Sequence, residues 1–272
     1  MKKISLLIFI ALFQTTFIFS QINNRSNFSF TVGPAIPIGH FANTNLYDGT
    51  SGFAKTGEAI SFSYDRPIAK KLSFLINLSG QRNPINKSAF ESSFSKAKIY
   101  QGFTFGSDPN NPPIQTNAAI YPNWKFEKSS WLYAALQLGG KAQFPLNEQK
   151  NIHFIANATI GALYAKSPDL KGSSTTDTAT ANITQSSRTG FGLIYSLGGG
   201  IQYQVNQRVF LTTTLNYTGT NNITIKNIKS TLTTTKGAIG ASGSSVQQST
   251  TTANGKQSIS SLNCLIGFGI SF

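Results

Sequence analysis

The sequence predicts an all-β chain closed into an antiparallel, up-and-down transmembrane β-barrel of eight strands, with short periplasmic turns and long extracellular loops. Three observations carry this. Apolar residues recur at every second position in eight separate segments; the connections between those segments alternate short and long; and the faces opposite the apolar ones hold small uncharged polar residues. Period-two alternation means a strand with two unlike faces. An even strand number and lopsided connections belong to a barrel in lipid. Closure is obligatory there, because an open edge would leave backbone N–H and C=O groups without partners.

The N-terminal segment comes first. Lys2 and Lys3 precede an apolar run from Leu6 to Phe19, and Ser20 offers a small residue before Gln21. This is the order of a cleaved secretory signal, expected over 1–20. Gln14, Thr15 and Thr16 interrupt the run, which is short for a spanning helix. No cysteine stands near it, so a lipid anchor is not expected. The remainder, 21–272, is expected to be one barrel domain.

The strands follow in order. Segment 28–38 carries Phe28, Phe30, Val32, Ile36 and Ile38 on one face, but Pro34 and Pro37 lie within it. Proline donates no ladder hydrogen bond, so a bulge or a shortened strand is expected. Segment 59–64 carries Ile60, Phe62 and Tyr64; segment 71–81 carries Leu72, Phe74, Ile76 and Leu78. In 131–144 the apolar set includes Leu132, Leu136, Leu138 and Phe144, and in 152–165 it includes Ile152, Phe154, Ile160 and Tyr164. Segments 190–204 (Phe191, Leu193, Tyr195, Leu197, Ile201, Tyr203) and 208–218 (Val209, Leu211, Leu215, Tyr217) precede the last, 262–272. There Leu262, Cys264, Ile266, Phe268, Ile270 and Phe272 alternate with mostly small or polar residues, so Cys264 reads as a small hydrophobe. Strands of about 11 residues, tilted by about 40°, cross roughly 28 Å, close to a hydrocarbon core.

Short connections lie at 67–70, 145–150 and 205–207, long ones at 40–56, 82–130, 167–189 and 219–256. The segment 82–130, with five prolines, is expected to fold back over the barrel mouth; 222–235 alternates (Ile223, Ile225, Ile228, Leu232) and is expected to extend strands beyond the membrane, with a mobile tip after it.

Alternation alone leaves the orientation open, and composition decides it. Only 12% of the residues are charged, about half the usual share. The polar faces carry Ser, Thr, Asn, Gln and Gly, with Asp65, Lys141 and His153 as the few titratable groups. A water-facing exterior carries Lys and Glu in quantity, whereas small polar side chains suit the narrow interior of eight strands. The apolar faces are therefore expected to meet lipid. Aromatics near strand ends (Phe28, Tyr64, Phe144 and Tyr203 at one rim; Tyr164, Phe191 and Tyr217 at the other) are placed to form interface girdles.

Enzyme parts are scarce. His40 and His153 fall at opposite rims, and His40 with Asp48 or Ser51 is the single candidate pairing for nucleophilic chemistry, which needs hydrogen-bond reach. No metal-ligand spacing or Walker loop occurs, so no enzyme activity and no cofactor are expected. The formal net charge is +14, but the cations are scattered instead of striped, which argues against nucleic acid. Lys96, Lys98, Lys226, Lys229 and Lys236 lie in long loops, where lipopolysaccharide phosphates would be, and are candidate contacts to them.

Signal segment, alternation, loop asymmetry and a final aromatic strand ending on Phe272 together resemble the small eight-stranded bacterial outer-membrane barrels, of the OmpX and OmpA-transmembrane type. The resemblance is one of architecture over 27–272. It implies a cell outer-membrane location and insertion by the barrel assembly machinery; no peptidoglycan-binding domain is expected after the barrel, which departs from the OmpA type. A monomer contacting lipid and lipopolysaccharide is expected. The function expected is non-enzymatic, a structural or surface-interaction role through the extracellular loops. The alternatives are a narrow channel or carrier for small or apolar solutes and, behind it, a lipid-modifying barrel enzyme.

Overall fold

The computed structural model describes residues 25–96, 123–177, 179–236 and 245–272. The expected signal segment and the tip of the last loop (237–244) lie outside them. In chain order the strands are β1 (Asn27–Pro37), β2 (Gly57–Ala69), β3 (Leu72–Pro84), β4 (Lys125–Phe126), β5 (Ser130–Pro145), β6 (Ile152–Lys166), β7 (Leu170–Thr176), β8 (Ala179–Gln185), β9 (Thr189–Gln204), β10 (Val209–Thr220), β11 (Ile223–Lys236), β12 (Ser245–Gln257) and β13 (Ser260–Ser271); among the described residues an α-helix, α1, spans Lys87–Lys96 and a 3-10 turn spans Gly39–Phe41.

Eight of these strands close a barrel in the order β1-β13-β10-β9-β6-β5-β3-β2. They are the eight alternating segments, and every neighbouring pair is antiparallel. Closure comes from β1 lying against β13, with Phe28 opposite Ile270 and Ile36 opposite Leu262. Two of the short turns are locked by asparagine: Asn206 Oδ1 accepts the N–H groups of Arg208 (2.8 Å) and Val209 (2.9 Å), and Asn147 Oδ1 those of Asn151 and Ile152 (both 3.1 Å), so each side chain copies a backbone turn.

Of the two forms expected for the first strand, a bulge or a shortened strand, the bulge does not occur. At 11 residues β1 is the shortest barrel strand. Val32 faces Ile266 and Ala35 faces Asn263 at one unchanged register, while Gly33 and Pro34 keep partners only on β2. The missing proline N–H interrupts one ladder locally, and the intact ladder on the other side holds the register.

Orientation is resolved by burial. Leu136 and Ile160 are 54% and 61% exposed on the outer wall, whereas Gln137 is 1% exposed on the inner one. Cys264 lies on the exposed side, with the apolar set. A continuous apolar exterior of this extent on a closed sheet fits a lipid surround, not water. Aromatic pairs mark its two edges: Tyr164–Phe191 and Tyr195–Tyr217 at one rim (centroids 5.0 and 6.1 Å), Phe144–Phe154 and Phe28–Phe62 at the other (6.5 and 6.4 Å). The exposed pair Arg82–Glu58 (3.2 Å) closes the band at the long-loop rim.

Eight strands curve tightly, and the inner wall shows the consequence. A Cβ at Gly139 would stand 1.9 Å from the Ala158 carbonyl oxygen, while one on outward-facing Gly140 would meet nothing closer than 3.8 Å. Glycine is required where neighbouring backbones crowd inward.

The long connections build a second sheet in the order β12-β11-β8-β7-β4. β11 falls on the segment whose alternation predicted it. Its apolar set skips from Ile225 to Ile228, and a register shift between them, with Asn227 at φ +56°, returns Ile228 to the buried face.

Candidate functional site

Side chains from facing strands fill the barrel interior in layers. Nearest the short turns, Lys141 on β5 donates from Nζ to Asp65 Oδ1 (2.9 Å) and to Gln202 Oε1 (3.2 Å). Asn27 Nδ2 donates to Asp65 Oδ2 (2.7 Å), and Gln143 Nε2 shares Gln202 Oε1 (3.1 Å). The Asp65 and Lys141 side chains are 1% and 8% exposed. The sequence singled out both as rare lumen charges without joining them. Two opposite charges in so narrow a tube have only each other to neutralise them.

A second layer crosses the middle. Ser61 and Ser63 hydroxyls donate to Asn77 Oδ1 (2.5 and 2.8 Å), Asn77 Nδ2 to Gln137 Oε1 (3.1 Å) and Gln137 Nε2 to Ser196 Oγ (3.0 Å). Towards the long loops, Gln81 Oε1 accepts from Tyr133 (2.6 Å) and Ser261 (3.1 Å), and Asn83 Nδ2 donates to the carbonyls of Ala35 (3.1 Å) and Lys55 (3.0 Å). Space between these layers amounts to about 90 Å³, room for a few waters.

Beyond the last polar layer the interior becomes apolar. Leu163, Ala165 and Ile194 face inward and join Ile223, Ile225 and Ile228 of β11 with the aromatic residues of the long loops in one buried cluster. Its centre is Phe90 of α1, edge-on to Phe53 (5.1 Å) and Phe126 (4.7 Å). Trp131 Nε1 donates to the Gly52 carbonyl (2.9 Å) beneath Phe41. Asn86 caps α1 by accepting the Ala89 N–H (3.3 Å). The helix then stands in for a strand: Glu91 Oε1 and Ser95 Oγ accept the N–H groups of Phe126 (2.8 Å) and Trp124 (3.0 Å). Gly172 lets the Phe126 ring lie directly on β7, where a Cβ would come within 2.3 Å of it. The expected fold-back of the 82–130 segment is thus a built cap, as far as its described residues go.

The one pairing considered for nucleophilic chemistry does form, with a different geometry. His40 Nδ1 lies 3.4 Å from Asp48 Oδ2 and 3.0 Å from Thr50 Oγ1, so carboxylate and hydroxyl share one ring nitrogen. A relay needs them on opposite nitrogens. Asp48 also accepts the Thr50 N–H (2.9 Å) and hydroxyl (2.6 Å) and the Asn43 amide (2.8 Å), the pattern of a stapled turn. Partial burial pushes the Asp48 carboxyl up, but the hydrogen bonds from Thr50, Asn43 and His40 more than offset it and hold it below the usual carboxylate value. Ser51 does not join the cluster; its hydroxyl is buried without a hydrogen-bond partner among the described residues.

The candidate lysines separate. Lys226 and Lys229 are exposed on β11, flanking Asn227, whose carbonyl accepts Arg188 Nε (3.0 Å). Arg188 was not singled out in the sequence; only the bulge brings it there. Lys96 is exposed at the end of α1, against β4, with β8 and β7 between it and β11. Lys236 ends β11, and Lys98 lies outside the described residues. Among the described residues no cluster of His, Cys, Asp and Glu could hold a metal ion.

The chain is an eight-stranded barrel. No protein-family model matches it, and no curated protein matches it. Its structure is similar to solved outer-membrane barrels. A major outer membrane protein of Thermus thermophilus aligns with TM-score 0.41 at 12% identity, covering 92% of this chain and 100% of that one. The attachment invasion locus protein of Yersinia pestis aligns with TM-score 0.37 at 12% identity (92% and 97%), and Neisserial surface protein A with TM-score 0.33 at 11% (91% and 97%). These are low values in sequence and in superposition alike, and the reading of the barrel rests on the chain's own strands.

Proposed function

We propose that this protein is a non-enzymatic barrel of the bacterial outer membrane that acts through its extracellular surface. One observation carries the reading: the long loops fold into a five-stranded sheet with a buried aromatic centre, fused to the apolar mouth of the barrel. A sheet ordered in this way presents fixed side chains to a partner at little entropic cost. Lys226 and Lys229, with Lys96, are proposed to meet lipopolysaccharide phosphates on that surface.

The second reading, a channel or carrier, is weakened by the hydrogen-bonded layers and by the roughly 90 Å³ they leave. Eight strands enclose little beyond their own side chains. Conductance of the purified protein in planar bilayers decides between them. Unbroken baselines are expected; stepwise openings would favour the channel. A surface role also requires that lipopolysaccharide affinity fall when the loop lysines are changed to glutamine.

A further inference from the structure

The short-turn end of the barrel, opposite the cap, is open and basic. A basin of about 750 Å³ lies there, within the range of small-ligand pockets. Arg25, Lys70, Lys71 and Lys150 line its rim, His153 and Gln202 its wall, and no acidic side chain lines it. The nearest carboxylate below, Asp65, is already held by Lys141 and Asn27. Arg25 spends one N–H on the Gln207 carbonyl (2.9 Å), leaving four of its five donors. None of the four cations takes part in a salt bridge among the described residues. His153 adds an independent sign: its Nδ1 is buried in the wall with no hydrogen-bond partner. Polar groups in such positions ordinarily have partners.

We propose that this basin is a binding site for a soluble or lipid-borne anion carrying several phosphate or carboxylate groups. Multivalency follows from the geometry. The rim cations are solvated, and a single exposed ion pair contributes little. Several charges on one ligand, spanning the rim together, sum those contributions without ordering a new partner for each. The donors offered, one guanidinium, three ammonium groups and a wall imidazole, fit oxyanions and no cation. The site faces away from the capped surface, so it stands or falls apart from the surface role.

Tripolyphosphate titrated into the protein in phosphatidylcholine nanodiscs tests it. Calorimetry should show one saturable site, weakened by added salt, and the His153 ring resonances should move as it fills. Arg25→Gln with Lys150→Gln should weaken binding about tenfold, whereas Lys226→Gln with Lys229→Gln at the far end should leave it unchanged. Equal loss from the two pairs overturns the site, as does absent heat with a still His153 ring when the ring is still in the phosphatidylglycerol nanodiscs as well. The ring measurement uses the unaltered protein and does not depend on variants folding. A second set of nanodiscs containing phosphatidylglycerol, without tripolyphosphate, identifies the source. Movement of the ring there assigns the site to lipid headgroups, and movement with tripolyphosphate alone assigns it to a solute; stillness in both rejects it.

Discussion

Asp65 and Lys141 are the residues on which the lumen turns. Both are almost wholly withdrawn from solvent, and each oxygen of the carboxylate has one donor. A buried pair of this kind adds little net stability over apolar side chains of the same size, because desolvation opposes the attraction. Breaking it is another matter. Asp65→Ala would strand an ammonium between Gln202 and the ring of Phe210, 5.7 Å from Nζ, at a cost of about 3–5 kcal/mol. The double change Asp65→Asn with Lys141→Met should recover most of that loss. Urea unfolding in micelles, followed by the gel mobility of the folded band, measures both. An Asp65→Ala protein as stable as the parent would mean that water reaches the pair freely, which the enclosing layers argue against. The sequence already marked these two charges on the inner face, since period two places 65 and 141 there. Their partnership was hidden because β2 and β5 meet only across a closed barrel, with β3 between them.

Among elements, the barrel strands and the cap differ in how they are encoded. A barrel strand carries its own signal, because every second side chain meets lipid. In the cap, β11 alone carries a comparable signal, set by burial instead of lipid: its set Ile223, Ile225, Ile228 was readable even though a bulge breaks its period. The hairpin β7–β8 and helix α1 lacked it. Leu170–Thr176 is largely Ser, Thr, Gly and Lys, and α1 offers only Phe90 and Phe94 as an i, i+4 apolar pair. Both are held by what they pack on: β8 lies against β11, and α1 is fixed to β4 through Glu91 and to Trp124, just before β4, through Ser95. Their stability should therefore be cooperative within the cap. Phe90→Ala removes the ring that touches Phe53, Phe94 and Phe126, a loss of about 3–5 kcal/mol. The expected result is rapid proteolysis within the long loops while the barrel remains a resistant, heat-modifiable fragment. Simultaneous loss of barrel resistance would show that cap and barrel form one cooperative unit.

At the scale of the whole molecule, one wall meets two environments. The same sheet is apolar outside and polar inside over the aromatic-bounded band, then apolar inside where the cap begins. That inversion is what a strand must do if its lower part stands in lipid and its upper part in water: the buried side changes, and the alternation continues. The band from Tyr164 to Phe154 along β6 spans 11 residues, ten steps along the strand and about 25 Å after tilt. Ile160 lies near its middle, 61% exposed and opposite Leu138. On a water-soluble barrel an arginine there would be harmless. In a bilayer Ile160→Arg should cost about 2–4 kcal/mol, read as a lower folded fraction at equilibrium in phosphatidylcholine vesicles. Arginine at Lys166, at the rim and already charged, provides the control and should change nothing. Equal tolerance at both positions would place the belt outside the hydrocarbon, and the assignment of inner and outer walls to water and lipid would fail with it.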